Sequence, residues 1–405
     1  MLSRHDDLRS GAGPWHAHRP PSRYLEKDAR CDIVIVGAGI TGAFLAEHLT
    51  AQGLDVVVID REREGFGSTA ASTAMLQWEI DLPLRDLVAL YGFERAADVY
   101  RLSFQAVEGL GRLIRELNLS CGFSSRQTIY LAAGESGPRE LREEVAVRMR
   151  AGLPGDFIEH KVLRKAFGFD RPAAIVSPGS AEADPLSLCH GLLAAAVRRG
   201  ARLIRDEVVA FDTTGRSAAV TLGSGRLVEA DRIALATGYV MPEVVRDGLH
   251  HVASSWAIAT VPQAPRVLWP GPALIWEASK DYCYCRTTAD GRIIFGGEDE
   301  EFSDPHRREA LGPGKTKALQ TRLHAMIPTA DLGLDRAWSG AFGQTQDGLP
   351  LIGRVPGHPR LLAAYGYGGN GITFSFLAAR MIGQLVHDVE WPWFSAFAID
   401  RDRIG

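Results

Sequence analysis

Six residues constrain this chain more than any others: Gly37-Ala38-Gly39-Ile40-Thr41-Gly42, a G-x-G-x-x-G run. Alone the run is a weak signal, and its setting gives it meaning. It follows a β-branched stretch, Ile33-Val34-Ile35-Val36, and opens a segment, residues 43–51, that reads as a helix ended by Gln52-Gly53. A second strand, Val56-Val57-Val58-Ile59, then closes on Asp60. Strand, glycine turn, helix, strand and acid together form a dinucleotide-binding fingerprint. Gly37 permits the tight turn, Gly39 lets a pyrophosphate approach the backbone, and Gly42 lets helix and strand pack closely. The free N–H groups and dipole at the helix start favour phosphates. Asp60 is positioned to accept hydrogen bonds from ribose hydroxyls. Both strands are apolar on both faces, which predicts a buried parallel sheet.

At 405 residues the chain is longer than one core usually serves, so two domains are expected. A net charge of −4 implies no basic face and argues against nucleic acid as a partner. The five cysteines are odd in number and scattered, which does not read as a disulfide framework. Cys283 and Cys285 share a strand face, but no second pair or nearby histidine completes a metal site. His16, His18, His250 and His251 read as surface residues. Residues 1–30 are polar and hold no apolar run of signal-peptide length, and no stretch approaches a membrane span. A cytoplasmic protein is expected. The aromatic stretch after Trp391 is expected to pack onto the domain surface.

The pattern alternates along the chain. Residues 84–117 read as mostly helical, and residues 186–199 as a helix ended by Gly200. Short strands follow at 201–205, 208–211, 218–222 and 232–236, the last running into Thr237-Gly238. Strand-rich segments near 256–260, 273–276, 282–286 and 292–295 suggest an antiparallel sheet. A helix is read at 315–327, and a strand at 361–365 leads through a glycine-rich turn into a helix at 372–386. This predicts an α/β protein: a Rossmann-type domain discontinuous in sequence (31–80, 170–245 and 335–390) and a second α+β domain on an antiparallel sheet (81–169 and 246–334). Residues 1–30 are then an N-terminal extension and 391–405 a C-terminal tail.

One fingerprint serves both NAD and FAD. Three further segments favour FAD: Gly67-Ser68-Thr69, Ala236-Thr237-Gly238, and the glycine-rich turn of residues 365–373. Three scattered segments suit a cofactor that spans a domain. Together with Ile33 to Asp60, Asp184-Pro185, Asp290-Gly291-Arg292 with Gly296-Gly297, and Asp347 to Arg354, they carry a resemblance. The chain resembles the D-amino acid oxidase, glycine oxidase and sarcosine oxidase (DAO) family of FAD-dependent oxidoreductases from residue 31 to about 400.

The resemblance implies that Ser68 and Thr69 lie near the pyrophosphate or flavin and that Val208 contacts adenine through its backbone. It also implies that Gly368-Gly369-Asn370-Gly371-Ile372-Thr373 meets the flavin pyrimidine edge. Arg61 and Gly343 are grouped with these as cofactor-binding residues. The positions that carry histidine or cysteine in covalently flavinylated relatives hold Ala71 and Ser339 to Phe342, so FAD is expected to be non-covalent. The same resemblance implies that Tyr284 reaches the substrate and that Arg354 grips a carboxylate, for which a guanidinium fork is suited. Arg286 competes with Arg354, since it shares a strand face with Tyr282 and Tyr284. Trp256 and Gln344 are further candidates, and Met75, Gln77 and Trp78 are candidates for the flavin face. No lysine matches the one that sarcosine oxidase relatives use with oxygen; Lys280 fits poorly.

The expected activity is hydride removal from a small amine or amino acid, with oxygen or another electron acceptor closing the cycle. Oxidation of a hydroxy acid or polyol phosphate is the alternative, and a flavin-holding assembly or electron-transfer subunit is a third. Fold analogy does not choose among them.

Overall fold

The computed structural model describes residues 8–15, 20–245, 248 and 250–401. His16 and His18 lie outside them.

Two large sheets organise the molecule. The first is the buried parallel sheet that the fingerprint predicts. Strands Arg202–Arg205, Val56–Asp60, Ala29–Val36, Leu227–Leu235 and His358–Tyr365 lie side by side in that order, all parallel, and Leu351–Val355 closes the edge antiparallel. Ile33, Val34, Ile35, Val56, Val57 and Ile59 have no exposed surface. Helices cover them, with Ile40–Ala51 packed between Pro185–Arg198 and Gly371–Val386. The third parallel strand, Arg202–Arg205, arrives only after a long excursion through the second sheet, because residues 84–117 form helices, split at Gly92 into Leu84–Tyr91 and Phe93–Glu116.

The strand order reverses at Ala29–Val36, so a crevice opens at its carboxyl end. Gly37 turns there with φ +112°, and a Cβ on it would lie 2.3 Å from the Ala236 carbonyl oxygen. A Cβ on Gly42 would lie 1.9 Å from the Gly37 carbonyl oxygen. Both positions therefore exclude any other side chain unless the helix moves off the sheet.

The second sheet is mostly antiparallel. Its order runs Arg9–Gly11, Leu334–Thr345, His250–Thr260, Ile293–Glu300, Cys283–Thr287, Ala273–Ala278, Ser124–Ala132, Ala173–Glu182 and Met75–Leu76, with Asp156–Glu159 also on Ala173–Glu182. This corrects the domain boundaries expected from the sequence. Residues 173–182 and 334–345 fall in segments assigned to the nucleotide domain, yet they pair with Ser124–Ala132 and His250–Thr260. Both segments are rich in Gly, Ser and Ala and lack the apolar alternation that marks a strand.

The described residues of both end segments pack into the fold. Arg9–Gly11 pairs with residues 338–340. Phe394 and Phe397 join the main core, which agrees with the packing expected of the aromatic stretch. Arg401 is buried and forks onto Asp347, with Nη2 to Oδ1 at 2.8 Å and Nε to Oδ2 at 3.0 Å. Tyr91 donates to the same carboxylate at 2.6 Å. Removing one partner of a buried pair leaves the other charge uncompensated. Asp347→Ala should therefore lower the unfolding free energy by about 3–5 kcal/mol in equilibrium urea denaturation; a loss below about 1 kcal/mol would show that the C-terminal fork is incidental.

Candidate functional site

One cavity of about 560 Å³ runs from the carboxyl end of the parallel sheet to the face of the antiparallel sheet. That volume lies within the range of small-molecule sites. At one end lie Gly37, Gly39, Ile40, Thr41, Asp60, Arg61, Arg63, Glu207 and Val208. Gly67, Ser68, Thr69, Thr237, Gly238 and the turn Gly368 to Ile372 line the middle. Beyond them stand Met75, Gln77, Ser255, Trp256, Trp276, Tyr282, Tyr284, Trp338 and Phe342.

The nucleotide end is built by short hydrogen bonds. Asp60 closes its strand, and its Oδ2 accepts the Ala38 N–H at 2.6 Å while Oδ1 accepts the Glu62 N–H at 2.8 Å. Burial pushes its carboxyl up to about 6, outweighing those two N–H donors. Thr69 accepts the Ile40 N–H at 3.0 Å, tying the Gly67-Ser68-Thr69 loop to the first turn of the helix. Thr41 bonds to the Ser375 hydroxyl at 2.7 Å and to the Tyr367 hydroxyl at 3.2 Å, which joins that helix to Gly371–Val386. The Asn370 amide donates to the Gln77 and Glu79 carbonyls at 3.1 and 2.7 Å, and Thr373 donates to the Gln77 carbonyl at 2.9 Å. The late glycine turn is thus held against residues 77–79.

Three residues expected to bind cofactor do not line the cavity. Gly42 acts through helix packing, as expected of it. Thr373 is buried and holds Gln77. Gly343 stands behind Tyr239, since a Cβ there would come within 2.7 Å of that ring, and it is Tyr239 that faces the cavity.

The carboxylate anchors need correction. Arg354 does not line the cavity. Its Nη2 reaches the Asp388 carboxylate at 2.9 Å and the Leu385 carbonyl at 3.3 Å, at the far end of Gly371–Val386. At 1.5 Å rise per residue, Leu385 lies about 20 Å from the helix start that borders the cavity. Arg286 is also spent. It donates to the Thr73 carbonyl at 2.7 Å and the Ala183 carbonyl at 3.0 Å, pairs with Glu182 at 3.2 Å and stacks on Trp15. It braces the wall of residues 72–74 and does not face the ligand space.

Tyr284 does line the cavity. It opposes Gly296, where a Cβ would come within 2.4 Å of the tyrosine ring, so that glycine makes room for it. Trp256 lines the cavity and Gln344 does not. Met75 and Gln77 face it, whereas Trp78 is fully buried and donates to the Pro178 carbonyl at 2.8 Å. The side chains alternate from Met75 onward: Leu76, Trp78 and Ile80 are buried in the core and stay off the cavity, and Met75, Gln77, Glu79 and Asp81 line it. Glu79 and Asp81 were missed in the sequence, although period-2 alternation would have found them. His251 is exposed as expected; His250 is half-buried and packs edge-on against Tyr365. All five cysteines are buried and free. Among the described residues no cluster of His, Cys, Asp or Glu could hold a metal ion, and no helix is long and apolar enough to cross a membrane.

A glycine turn with a carboxylate at one end, a glycine-rich helix start in the middle and an aromatic chamber beyond suit the chemistry of a flavin dinucleotide. The DAO family, described as FAD dependent oxidoreductase, matches residues 32–385. The chain belongs to this family of FAD-dependent oxidoreductases. Gamma-glutamylputrescine oxidoreductase of Escherichia coli (strain K12) is 25% identical over 93% of this chain and 88% of that protein. A Bacillus subtilis (strain 168) protein named for a Rieske 2Fe-2S iron-sulfur centre is 26% identical over 94% of this chain and 73% of its own. Among solved structures, glycine oxidase from Geobacillus kaustophilus superposes with a TM-score of 0.77 at 20% identity, covering 93% of this chain and all of that one.

The cavity fits FAD on its own features. Gln77 lines the cavity beside the glycine turn, and its side-chain nitrogen is buried without a hydrogen-bond partner. Among the described lining residues there is no cysteine or histidine, so neither of the side chains used by covalently flavinylated relatives is present.

Asp60 gives a pH test. Its carboxyl is raised to about 6, so the free protein holds the proton below that, and only the ionised carboxylate could accept from both ribose hydroxyls. FAD affinity should therefore be full above pH 6 and weaken by up to about tenfold per unit below it, and Asp60→Asn should flatten that dependence, as read by quenching of FAD fluorescence. Affinity that is level from pH 7 to 5 would remove Asp60 from the ribose.

Proposed function

We propose that the protein oxidises the C–N bond of a small amine or amino compound and returns an imine that hydrolyses. The observation that carries this reading is continuity: one cavity joins the nucleotide-binding turn to an aromatic chamber on the second sheet. Gamma-glutamylputrescine oxidoreductase and glycine oxidase, both similar to this chain, are named for nitrogen-bearing substrates.

In this reading Gly37, Gly39, Ile40, Thr41, Asp60, Arg61, Ser68, Thr69 and Val208 hold the ADP portion, and the turn Gly368 to Ile372 faces the ring. FAD, when bound, would supply the two-electron acceptor for a hydride from the carbon beside nitrogen; the substrate's nitrogen lone pair would close the C=N bond, and the resulting iminium would lose a proton and be hydrolysed. The start of helix Gly371–Val386 offers N–H donors and partial positive charge to the ring. Trp256, Trp276, Trp338, Tyr282, Tyr284 and Phe342 exclude water and confine the substrate. A neutral amine needs no protein base to release hydride, and among the described residues no histidine lines the cavity.

A hydroxy acid or polyol phosphate would call for basic groups in the chamber. The basic lining residues among those described are Arg61 and Arg63, both at the Asp60 end. The electron acceptor, oxygen or another, acts on the same chamber, and free cysteines throughout suit a cytoplasmic setting.

Anaerobic mixing of the FAD-loaded protein with a panel of amines and hydroxy acids tests the reaction. Amines should bleach the flavin absorbance; bleaching by hydroxy acids alone would contradict the reading. Tyr284→Phe should change KM or kcat by about threefold or more, a ΔΔG‡ of about 0.65 kcal/mol, whereas Arg354→Ala should leave KM within about twofold, since its guanidinium stands about 20 Å away. A large KM increase in Arg354→Ala would restore it to the site.

A further inference from the structure

The chamber end of the cavity has a charge character that C–N oxidation alone does not require. Its walls carry carboxylates and aromatic rings, and among the described lining residues no arginine, lysine or histidine stands there. Glu79 is committed to the protein: Thr128 and Ser180 donate to it, and Arg148 pairs with it at 3.5 Å. Asp81 is different. Its Oδ2 accepts the Gly369 N–H at 2.7 Å, and no cation among the described residues pairs with it. Asp81 is exposed to the cavity, so its carboxylate stays open to an incoming group, while the surrounding protein and Asp299 push its carboxyl up to about 6.

Tyr282 extends the same surface. It donates its hydroxyl to Asp299 at 2.8 Å, so the phenol oxygen keeps its lone pairs for the cavity. Burial raises the Tyr282 hydroxyl, and the charges of Asp299 and Asp81 raise it further; Asp299 itself is outside the lining, where the charge of Lys315 also acts on it. The Tyr282 and Tyr284 rings stand 6.0 Å apart. Trp276, which is 9% exposed, lines the same space, and its indole N–H is buried without a partner.

We propose that this chamber seats a positively charged group, so that the substrate is a diamine: one neutral nitrogen is oxidised while the second, protonated nitrogen rests against Asp81 and the Tyr282–Asp299 pair. This rests on the C–N reading and narrows it. A substrate carboxylate in the chamber would face the like charge of Asp81 and find no cation among the described lining residues there. An ammonium gains from the same carboxylates, from the Tyr282 oxygen and from the faces of the aromatic rings.

The test uses FAD-loaded wild type and Asp81→Asn, in which the amide oxygen still accepts the Gly369 N–H. Tyr282→Phe is the second variant. Anaerobic flavin bleaching is recorded with 1,4-diaminobutane, butylamine and glycine. Binding of 2,5-dimethylhexane-2,5-diamine, which has no hydride beside nitrogen, is measured by calorimetry. Wild type should show a KM for the diamine at least tenfold below that for butylamine. Asp81→Asn should reduce that ratio at least tenfold and abolish the binding heat of the unreactive diamine, and Tyr282→Phe should weaken both effects. Glycine as the better substrate, or a diamine-to-monoamine ratio near one in wild type, would overturn the diamine assignment and leave C–N oxidation standing. Bleaching by hydroxy acids alone would overturn both. If no compound bleaches, the calorimetry decides, and absence of saturable binding overturns the proposal.

Discussion

The contact on which the rest depends is the seating of the glycine turn against the strands beside it. Gly37 turns left-handed directly over the Ala236 carbonyl, and Gly42 sits over the carbonyl of Gly37, each at a distance that admits no Cβ. These contacts fix the start of helix Ile40–Ala51 at the crevice where the strand order reverses, so its N–H groups and Asp60 face one space. The Thr69 and Thr41 bonds then register the second loop and the C-terminal helix to the same point. Segments far apart in sequence thereby become walls of one cavity.

Small residues recur where the antiparallel sheet meets that cavity, and for the same steric reason. A Cβ on Gly340 would come within 2.8 Å of Ala71, and one on Gly343 within 2.7 Å of Tyr239. The sheet gives up strand propensity at these positions to let the flavin loop and the aromatic rings approach. The N-terminal strand adds to the wall: Leu8 lines the cavity, Arg9 donates to the Phe66 carbonyl at 2.6 Å, and Trp15 donates to the Ser72 carbonyl at 2.8 Å.

The parallel sheet and its turn were legible because their signals are local: glycine spacing, β-branched runs and a terminal acid lie within the 28 consecutive residues from Ile33 to Asp60. The late turn of residues 368–373 was legible for the same reason. What sequence spacing could not show was where long side chains end. Arg354 carries a motif suited to a carboxylate, but its strand edge turns the guanidinium toward Asp388. Arg286 shares a face with Tyr284, yet its length carries it past the cavity to Glu182 and Thr73. Residues 173–182 and 334–345 concealed strands because pairing partners, not composition, make them strands. Asp81 could have been found, since Met75, Gln77, Glu79 and Asp81 alternate with the apolar core residues Leu76, Trp78 and Ile80; grouping Trp78 with Met75 and Gln77 broke that parity.

The central claim is that one extended dinucleotide joins the two sheets. A crystal structure of the protein grown with excess FAD addresses it directly. The account expects the adenosine ribose on Asp60, the pyrophosphate over Gly39 and the ring edge at Gly368 to Ile372, with the opposite end of the ring open to Tyr284. A cleft that stays empty, or one in which the dinucleotide lies outside the aromatic chamber, would contradict it.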